Sequence, residues 1–373
     1  MNIKTITCHD VYNYGASLQA YALIHFLEKN HHQVTIIDYL PTYKHGKYDY
    51  HLERTGIFGK LAIAFPPFKP LLAQLRYRSL WKFRKRKIAF DDFKKKYLRI
   101  TEHRYTTLCD FNQYPVNADL FIAGSDQIWN PNYGNGKDPV YYCGFANKNI
   151  RCISYAASFG VNFLEQEVRF IIKDLLKNFK ALSIREKSGV ELAKKMGFDS
   201  TNVCDPVFLL SADEWESICR KRINDKYLLI YDFKNDNPQL KQTALLLAKE
   251  RKLKIISIND DITIPYADVN INNAGPIEFI EYIRDAEFII SSSFHATAFS
   301  VIFRKDFFSF PLLGHKNQSR MVDFLKMLNL TDRFILNTID DTIKTHIDYN
   351  KNDEILQAFI TSSKKWLLNN IKK

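Results

Sequence analysis

The stretch from Phe288 to Phe310, FIISSSFHATAFSVIFRKDFFSF, constrains the fold more than any other part of the 373-residue chain. Phe288 to Ile290 is a short apolar run, Ser291 to Ser293 interrupts it, Ala296 to Phe303 has helical spacing, and Phe307 to Phe310 is a second apolar run. Strand, polar turn, helix and strand in that order predict parallel pairing. In a parallel sheet, ligands bind where the carboxyl end of a strand meets the amino end of the next helix. His295 stands at that junction, with Ser293 beside it. Backbone N–H groups and the positive helix end favour a phosphate or carboxylate there. The same residues also suit a plain helix cap with His295 bonded to its own backbone, so the stretch alone leaves both readings open.

The rest of the chain arranges itself around this unit. Its length exceeds one ordinary core and predicts two domains. A strand at Ile3 to Thr7, a helix at Gly15 to Glu28 and a strand at Val34 to Ile37 open a parallel, doubly wound sheet. Asn13, Tyr14 and Gly15 precede the helix, where they suit an anion or a sugar, or simply an N-cap and a tight turn. There is no GxGxxG fingerprint, and no dinucleotide is inferred. A strand at Asp119 to Ala123 runs into GSDQIWNP, placing Asp126 and Gln127 at a strand end and offering the Trp129 ring for stacking on a sugar. Ala181 to Ile184 ends at Arg185, suited to bidentate binding of phosphate or carboxylate and equally to a local pair with Glu186. Val203 to Leu210, VCDPVFLL, reads as a strand and turn with Asp205 and Pro206 as a hinge.

A second series follows: a strand at Tyr227 to Phe233, a helix at Gln239 to Lys249, a strand at Lys254 to Ile258 and a helix at Pro276 to Arg284, leading into Phe288. The expected fold class is therefore α/β, with two Rossmann-like domains facing a cleft. The expected boundaries are 1–212 for the first domain, 213–345 for the second, and 346–373 for a terminal helix packing back on both.

Composition narrows the class. With 46% hydrophobic and 25% charged residues the chain is globular, and no segment approaches the ~18 consecutive apolar residues of a membrane span. The first strand starts almost at Met1 without a basic-then-apolar leader, which predicts a cytoplasmic protein. Cys8, Cys109, Cys143, Cys152, Cys204 and Cys219 form no CxxC pair and read as reduced thiols, with no structural metal expected. The net charge of +12 is concentrated between Lys69 and Arg104, where thirteen Lys or Arg face three acids. Phe83, Phe90, Phe93 and Tyr97 recur there at roughly helical intervals, predicting a basic helical insertion at about 57–104 of the first domain. One reading makes it a surface for anionic lipid headgroups or a diphosphate-linked acceptor; the other, a solvated face packed by its own aromatics. No nucleic-acid-reading motif accompanies the charge, and no nucleic-acid partner is expected.

Several stretches together resemble the polysaccharide pyruvyl transferase family. They are NYGASLQAYAL at Asn13 to Leu23, GSDQIWNP at Gly124 to Pro131, SIRE at Ser183 to Glu186, CDP at Cys204 to Pro206 and SSSFHATAFSVIF at Ser291 to Phe303. The resemblance implies a GT-B-like fold and phosphoenolpyruvate as donor substrate, with no cofactor and no metal. The pyruvyl group would become a cyclic ketal on a hexose of a surface-polysaccharide precursor, capsular or exopolysaccharide, expected to be lipid-diphosphate-linked. Such chemistry needs anion clamps, an acid for the methylene carbon and a base for a sugar hydroxyl.

By the resemblance, His295 is the proton donor or a phosphate ligand, Arg185 fixes the donor, and Asp126 is the base or only caps its turn. Ser293, Lys316 and Arg320 are expected on the donor, with Arg320 favoured because it opens a helix and His315 placed at the surface. Asn13, Gln19, Gln127 and Trp129 are expected on the acceptor. Two competing readings stand beside this one: a nucleotide-sugar-dependent glycosyltransferase on the same two-domain plan, and a non-enzymatic carbohydrate-binding or membrane-associated component. A peripheral contact with the inner membrane face through Lys69 to Arg104 is expected under the first and last.

Overall fold

Residues 1–44, 64–81, 83–259, 262–314, 319–336 and 345–372 are described by a computed structural model. The first sheet consists of β1 (Asn2–Ile6), β2 (Gln33–Tyr39), β3 (Ile100–Tyr105), β4 (Leu120–Ala123) and β5 (Arg151–Ser154), in the order β3-β2-β1-β4-β5. Every pairing is parallel. The interior strand β4, LFIA, is buried at all four positions, as a parallel strand covered on both faces must be. Two short strands, β6 (Ser183–Ile184) and β7 (Thr201–Asn202), extend the edge, β6 being joined to the β5 edge by bridges at Ile153–Ala181 and Ala157–Ile184.

The second sheet repeats the winding. It holds β8 (Tyr227–Tyr231), β9 (Lys254–Ile258), β10 (Val269–Ile271), β11 (Phe288–Ser291) and β12 (Asp306–Ser309), in the order β10-β9-β8-β11-β12, again parallel throughout. Strand order reverses between β1 and β4 in one sheet and between β8 and β11 in the other, the two places where a doubly wound sheet opens a crevice. The helix after β11 spans Phe294–Ile302, starting two residues before the periodic pattern. Ser293 caps it by accepting from the Ala296 N–H, which takes His295 into the first turn.

The two halves share one apolar seam rather than a flexible joint. Tyr14, in the helix Tyr14–Lys29, stacks on Phe279 at 4.4 Å and donates to the Ala274 carbonyl at 3.1 Å. Trp215 is fully buried between Tyr21 and Phe299 and donates to the Val207 carbonyl. The expected hinge at Asp205 and Pro206 is therefore corrected. Pro206–Leu209 is a buried 3-10 turn capped by Asp205, and moving it would expose core. The final helix, Asn350–Lys372, ties both halves: Cys204 N–H donates to Ser363 Oγ, and Arg304 bonds Asn350 and Asp353.

The basic insertion divides into two helices with different surroundings, Lys69–Trp81 and Arg84–Tyr97; residues 57–63 lie outside the described residues. The aromatics of the second helix do not pack merely on one another. Phe90 lies against Tyr14 and Phe93 against Tyr21, so this helix covers the seam. Arg86 is buried there, bonding the Tyr14 hydroxyl and the Tyr12 and Ala274 carbonyls, with its guanidinium 4.4 Å from the Tyr14 ring. Gly275 allows the close approach, since a Cβ there would fall 2.8 Å from the Ala89 Cβ. Arg86→Ala takes a donor away from two carbonyls and a hydroxyl and opens a void. It is expected to lower unfolding stability by about 2–4 kcal/mol, read from urea midpoints; an unchanged midpoint would deny the seam its dependence on this residue.

Candidate active site

Two helix amino ends meet at the reversal points of the two sheets. Asn13 caps Tyr14–Lys29 by accepting from the Ala16 N–H at 3.1 Å, and Ser293 caps Phe294–Ile302. The neighbouring serines anchor the turn: Ser291 Oγ donates to the Tyr231 carbonyl and Ser292 Oγ to Asp232. Between the helix ends, the His295 ring lies against Gly15, where an added Cβ would stand only 1.9 Å from Nδ1. Glycine at 15 is thus required by a contact that crosses from one half to the other.

Asp205 sits at the centre, its side chain wholly buried. Its Oδ1 accepts from the Val207 N–H at 3.1 Å. Its Oδ2 accepts from Arg185 Nη1 at 2.5 Å and from Ser125 Oγ at 3.2 Å, with His295 Nε2 3.5 Å from the same oxygen. Burial opposes ionisation of Asp205, but the charges of Arg185 and then His295 outweigh it and hold the carboxyl well below the usual carboxylate range. Arg185 turns its remaining nitrogens elsewhere: Nη2 is 3.8 Å from Asp126 Oδ1, and the guanidinium lies 5.0 Å from the centre of the Phe294 ring. Glu186 is not its hydrogen-bonding partner, because Glu186 Oε1 accepts from the Phe159 and Gly160 N–H groups.

Arg185 Nε and Nη2 and His295 Nε2 are buried without a hydrogen-bond partner among the described residues. Buried polar groups are nearly always paired, so three such atoms in one place mark a site with capacity for a ligand.

Beside this cluster opens a cleft of about 940 Å³. Asn13, Asp126, Gln127, Ser293, His295 and Arg320 all line it. Asp126 has a left-handed backbone (φ 74°), a conformation an Asp tolerates and one concentrated at functional turns. With its amide oxygen facing Arg320, Gln127 accepts from that guanidinium at 3.1 and 2.5 Å. Burial, followed by the like charge of Arg185, pushes Arg320 down to about 10, which leaves it cationic at neutral pH. Among the described residues, no group of three His, Cys, Asp or Glu is placed to hold a metal ion.

A model of the polysaccharide pyruvyl transferase family matches residues 13–312. The chain belongs to that family. A search of curated proteins finds no match. Among solved structures, the chain is similar to a candidate UDP-N-acetylglucosamine 2-epimerase from Listeria monocytogenes, with 10% identity, 99% of this chain and 95% of that one covered, and a TM-score of 0.56. A further UDP-N-acetylglucosamine 2-epimerase gives 10% identity, 100% and 95% coverage and a TM-score of 0.54. The enzyme of that description from Rickettsia bellii gives 10%, 99% and 95%, and 0.52. The likeness is one of fold, and it is the GT-B arrangement.

Two residues expected on the acceptor are corrected. Trp129 is fully buried, stacked on Tyr142 with its indole N–H given to the Tyr141 carbonyl, so its ring meets core and no sugar. Gln19 is fully buried, donating to Thr7 Oγ1 and the Ala16 carbonyl beneath the helix start. Lys316 and His315 lie outside the described residues. In this pyruvyl transferase family member the residue that sequence reasoning passed over is Asp205. It follows β7, on the same sheet edge as Arg185, and that repeated strand-end placement was the available signal.

Two expectations follow for the cluster. Gly15→Ala forces the His295 ring aside and is expected to cut turnover by about 100-fold with folding retained, checked by steady-state rates beside circular dichroism. Asp205→Asn leaves Arg185 buried without its counter-charge and is expected to cost about 3 kcal/mol at neutral pH. Because the folded carboxyl is depressed, this stabilisation is complete above the ordinary Asp value of about 4 and is lost as pH falls toward the lower folded value. The stability gap between wild type and Asp205→Asn, measured by urea unfolding, should therefore shrink only below about pH 4. A gap that closes between neutrality and pH 5 would contradict the assignment.

Proposed function

We propose that this protein transfers the pyruvyl group of phosphoenolpyruvate to two hydroxyls of one hexose in a surface-polysaccharide precursor, forming a cyclic ketal. The observation that carries the reading is the convergence of Arg185 and His295 on buried Asp205, with Arg185 Nε and Nη2 and His295 Nε2 making no hydrogen bond among the described residues, beside a cleft far larger than a three-carbon donor requires. Family membership supports it.

In this reading, Arg185 and Arg320, which together line a small hollow beside the cleft, hold the phosphate and carboxylate of the donor, assisted by the helix amino end capped at Ser293. Asp205 fixes the Arg185 fork and keeps the His295 ring oriented. Protonated His295 gives its proton to the methylene carbon, leaving an oxocarbenium-like centre at the neighbouring carbon. One sugar hydroxyl adds there, and Asp126 takes its proton. The carbon–oxygen bond to phosphate then breaks and the second hydroxyl closes the ring; Asp126 passes the first hydroxyl proton to the departing phosphate, and the second hydroxyl proton restores protonated His295. The acceptor occupies the rest of the cleft, along Asn13, Gln127 and the neighbouring amides, and is carried on a lipid diphosphate.

Phosphoenolpyruvate is expected to raise the melting temperature and, with a lipid-linked hexose acceptor, to release phosphate while the acceptor gains the mass of a pyruvyl ketal. His295→Ala and Arg185→Ala are each expected to lower turnover by about 100-fold or more; Arg185→Ala also leaves Asp205 buried without its counter-charge and loses about 3 kcal/mol of stability, so its rate is read where circular dichroism shows the variant folded. Full activity in either variant would refute the role given to it. Two of the similar structures are described as epimerases of UDP-N-acetylglucosamine. Saturable binding of a UDP-sugar without any response to phosphoenolpyruvate would therefore replace this reading with a nucleotide-sugar enzyme.

A further inference from the structure

The two helices of the insertion differ in what they cover. Arg84–Tyr97 is part of the seam, but Lys69–Trp81 and the turn Pro66–Phe68 before it turn large apolar groups outward. Phe65 is 56% exposed, Phe68 57%, Leu71 53% and Leu75 46%. Large apolar groups exposed together in one short segment mark a docking surface.

Charge identifies the partner. Between Ala64 and Phe90 there are eight Lys or Arg and no acidic residue. Leu71 and Leu75, four positions apart, fall on one face of the helix, and Phe68 ends the turn that leads into it. Outward apolar groups in a short segment whose sequence carries cations and no acid are the pattern of a helix lying in a membrane interface. Nucleic acid would pair with the cations but gives Leu71 and Leu75 no role.

We propose that Pro66–Trp81 docks the protein on an anionic lipid bilayer at the rim of the cleft. The position follows from the fold: Phe83, two residues after Trp81, packs against Tyr12, whose chain neighbour Asn13 lines the cleft. The Arg84–Tyr97 helix is held to both halves through Arg86, so the docking helix keeps a fixed relation to the cleft. Docking in this way would bring a bilayer-held substrate to the cleft, and the docking itself does not depend on the identity of the donor. Among the described residues no helix is long and apolar enough to cross a membrane, so the contact is peripheral.

The test is flotation of the full chain with vesicles of phosphatidylcholine alone and with vesicles containing phosphatidylglycerol, repeated with Phe65→Ser, Phe68→Ser, Leu71→Ser and Leu75→Ser combined. Wild type should float with the anionic vesicles and lose most of that binding on neutral vesicles and at high salt. The combined variant should bind the anionic vesicles about tenfold less or weaker, with an unchanged urea midpoint and an unchanged thermal response to phosphoenolpyruvate. A second readout stays within the wild-type protein: brominated lipids should quench tryptophan emission, and Trp81→Phe should remove most of that quenching. The proposal is overturned if wild type binds no anionic vesicle, if the variant binds as wild type does, or if single-stranded DNA competes the vesicles away. Loss of phosphoenolpyruvate turnover with vesicle binding intact would refute the proposed reaction and leave the docking standing.

Discussion

A carboxylate that never meets water organises this molecule. Asp205 lies in the junction between the halves, and three groups from separate elements depend on one of its oxygens. An isolated buried charge would be very costly, and the Arg185 guanidinium offsets much of that cost through a short, charge-assisted bond. The pair is of limited value as a source of stability, since buried ion pairs often gain little over well-packed apolar residues. Its value is geometric. It fixes the guanidinium and the imidazole beside one carboxylate while Arg185 Nε and Nη2 and His295 Nε2 keep unused hydrogen-bonding capacity.

That arrangement is possible because the surrounding backbone repeats itself. Both sheets have the same strand order, so each half delivers a strand end and a capped helix amino end to its own crevice, and the seam brings the two crevices together. Tyr14 on Phe279, Trp215 against Phe299, and Arg86 over Tyr14 fix how closely they meet. The distance between Gly15 and His295 is the outcome of that packing, which is why a single methyl group at position 15 matters.

The parallel sheets, the position of His295 and the strand-end position of Arg185 were legible in the sequence because local patterns encode them: apolar runs, a serine break and helical spacing. Asp205 was not legible as a site residue, since its partners are 20 and 90 positions away and only the fold assembles them. Trp129 misled for a related reason. Its place after a strand end suggested the cleft, but the indole is turned inward, stacked on Tyr142 and bonded to the Tyr141 carbonyl. Gln19 is polar for internal reasons, tying the first helix to Thr7. The insertion was legible in charge but not in division, because Phe90 and Leu71 look alike in sequence while one is buried against Tyr14 and the other meets solvent.

The continuous core beneath the cleft has a mechanical meaning. Two lobes that share Tyr14, Phe279 and Trp215 cannot part like a jaw without wetting those rings, at roughly 25 cal/mol for every Å² uncovered. Whatever enters the cleft therefore meets two walls whose spacing is set by packing beneath it, and fitting a ligand falls to side chains at the rim more than to movement of the lobes. The width of the cleft is thus written into a tight aromatic contact some distance from it.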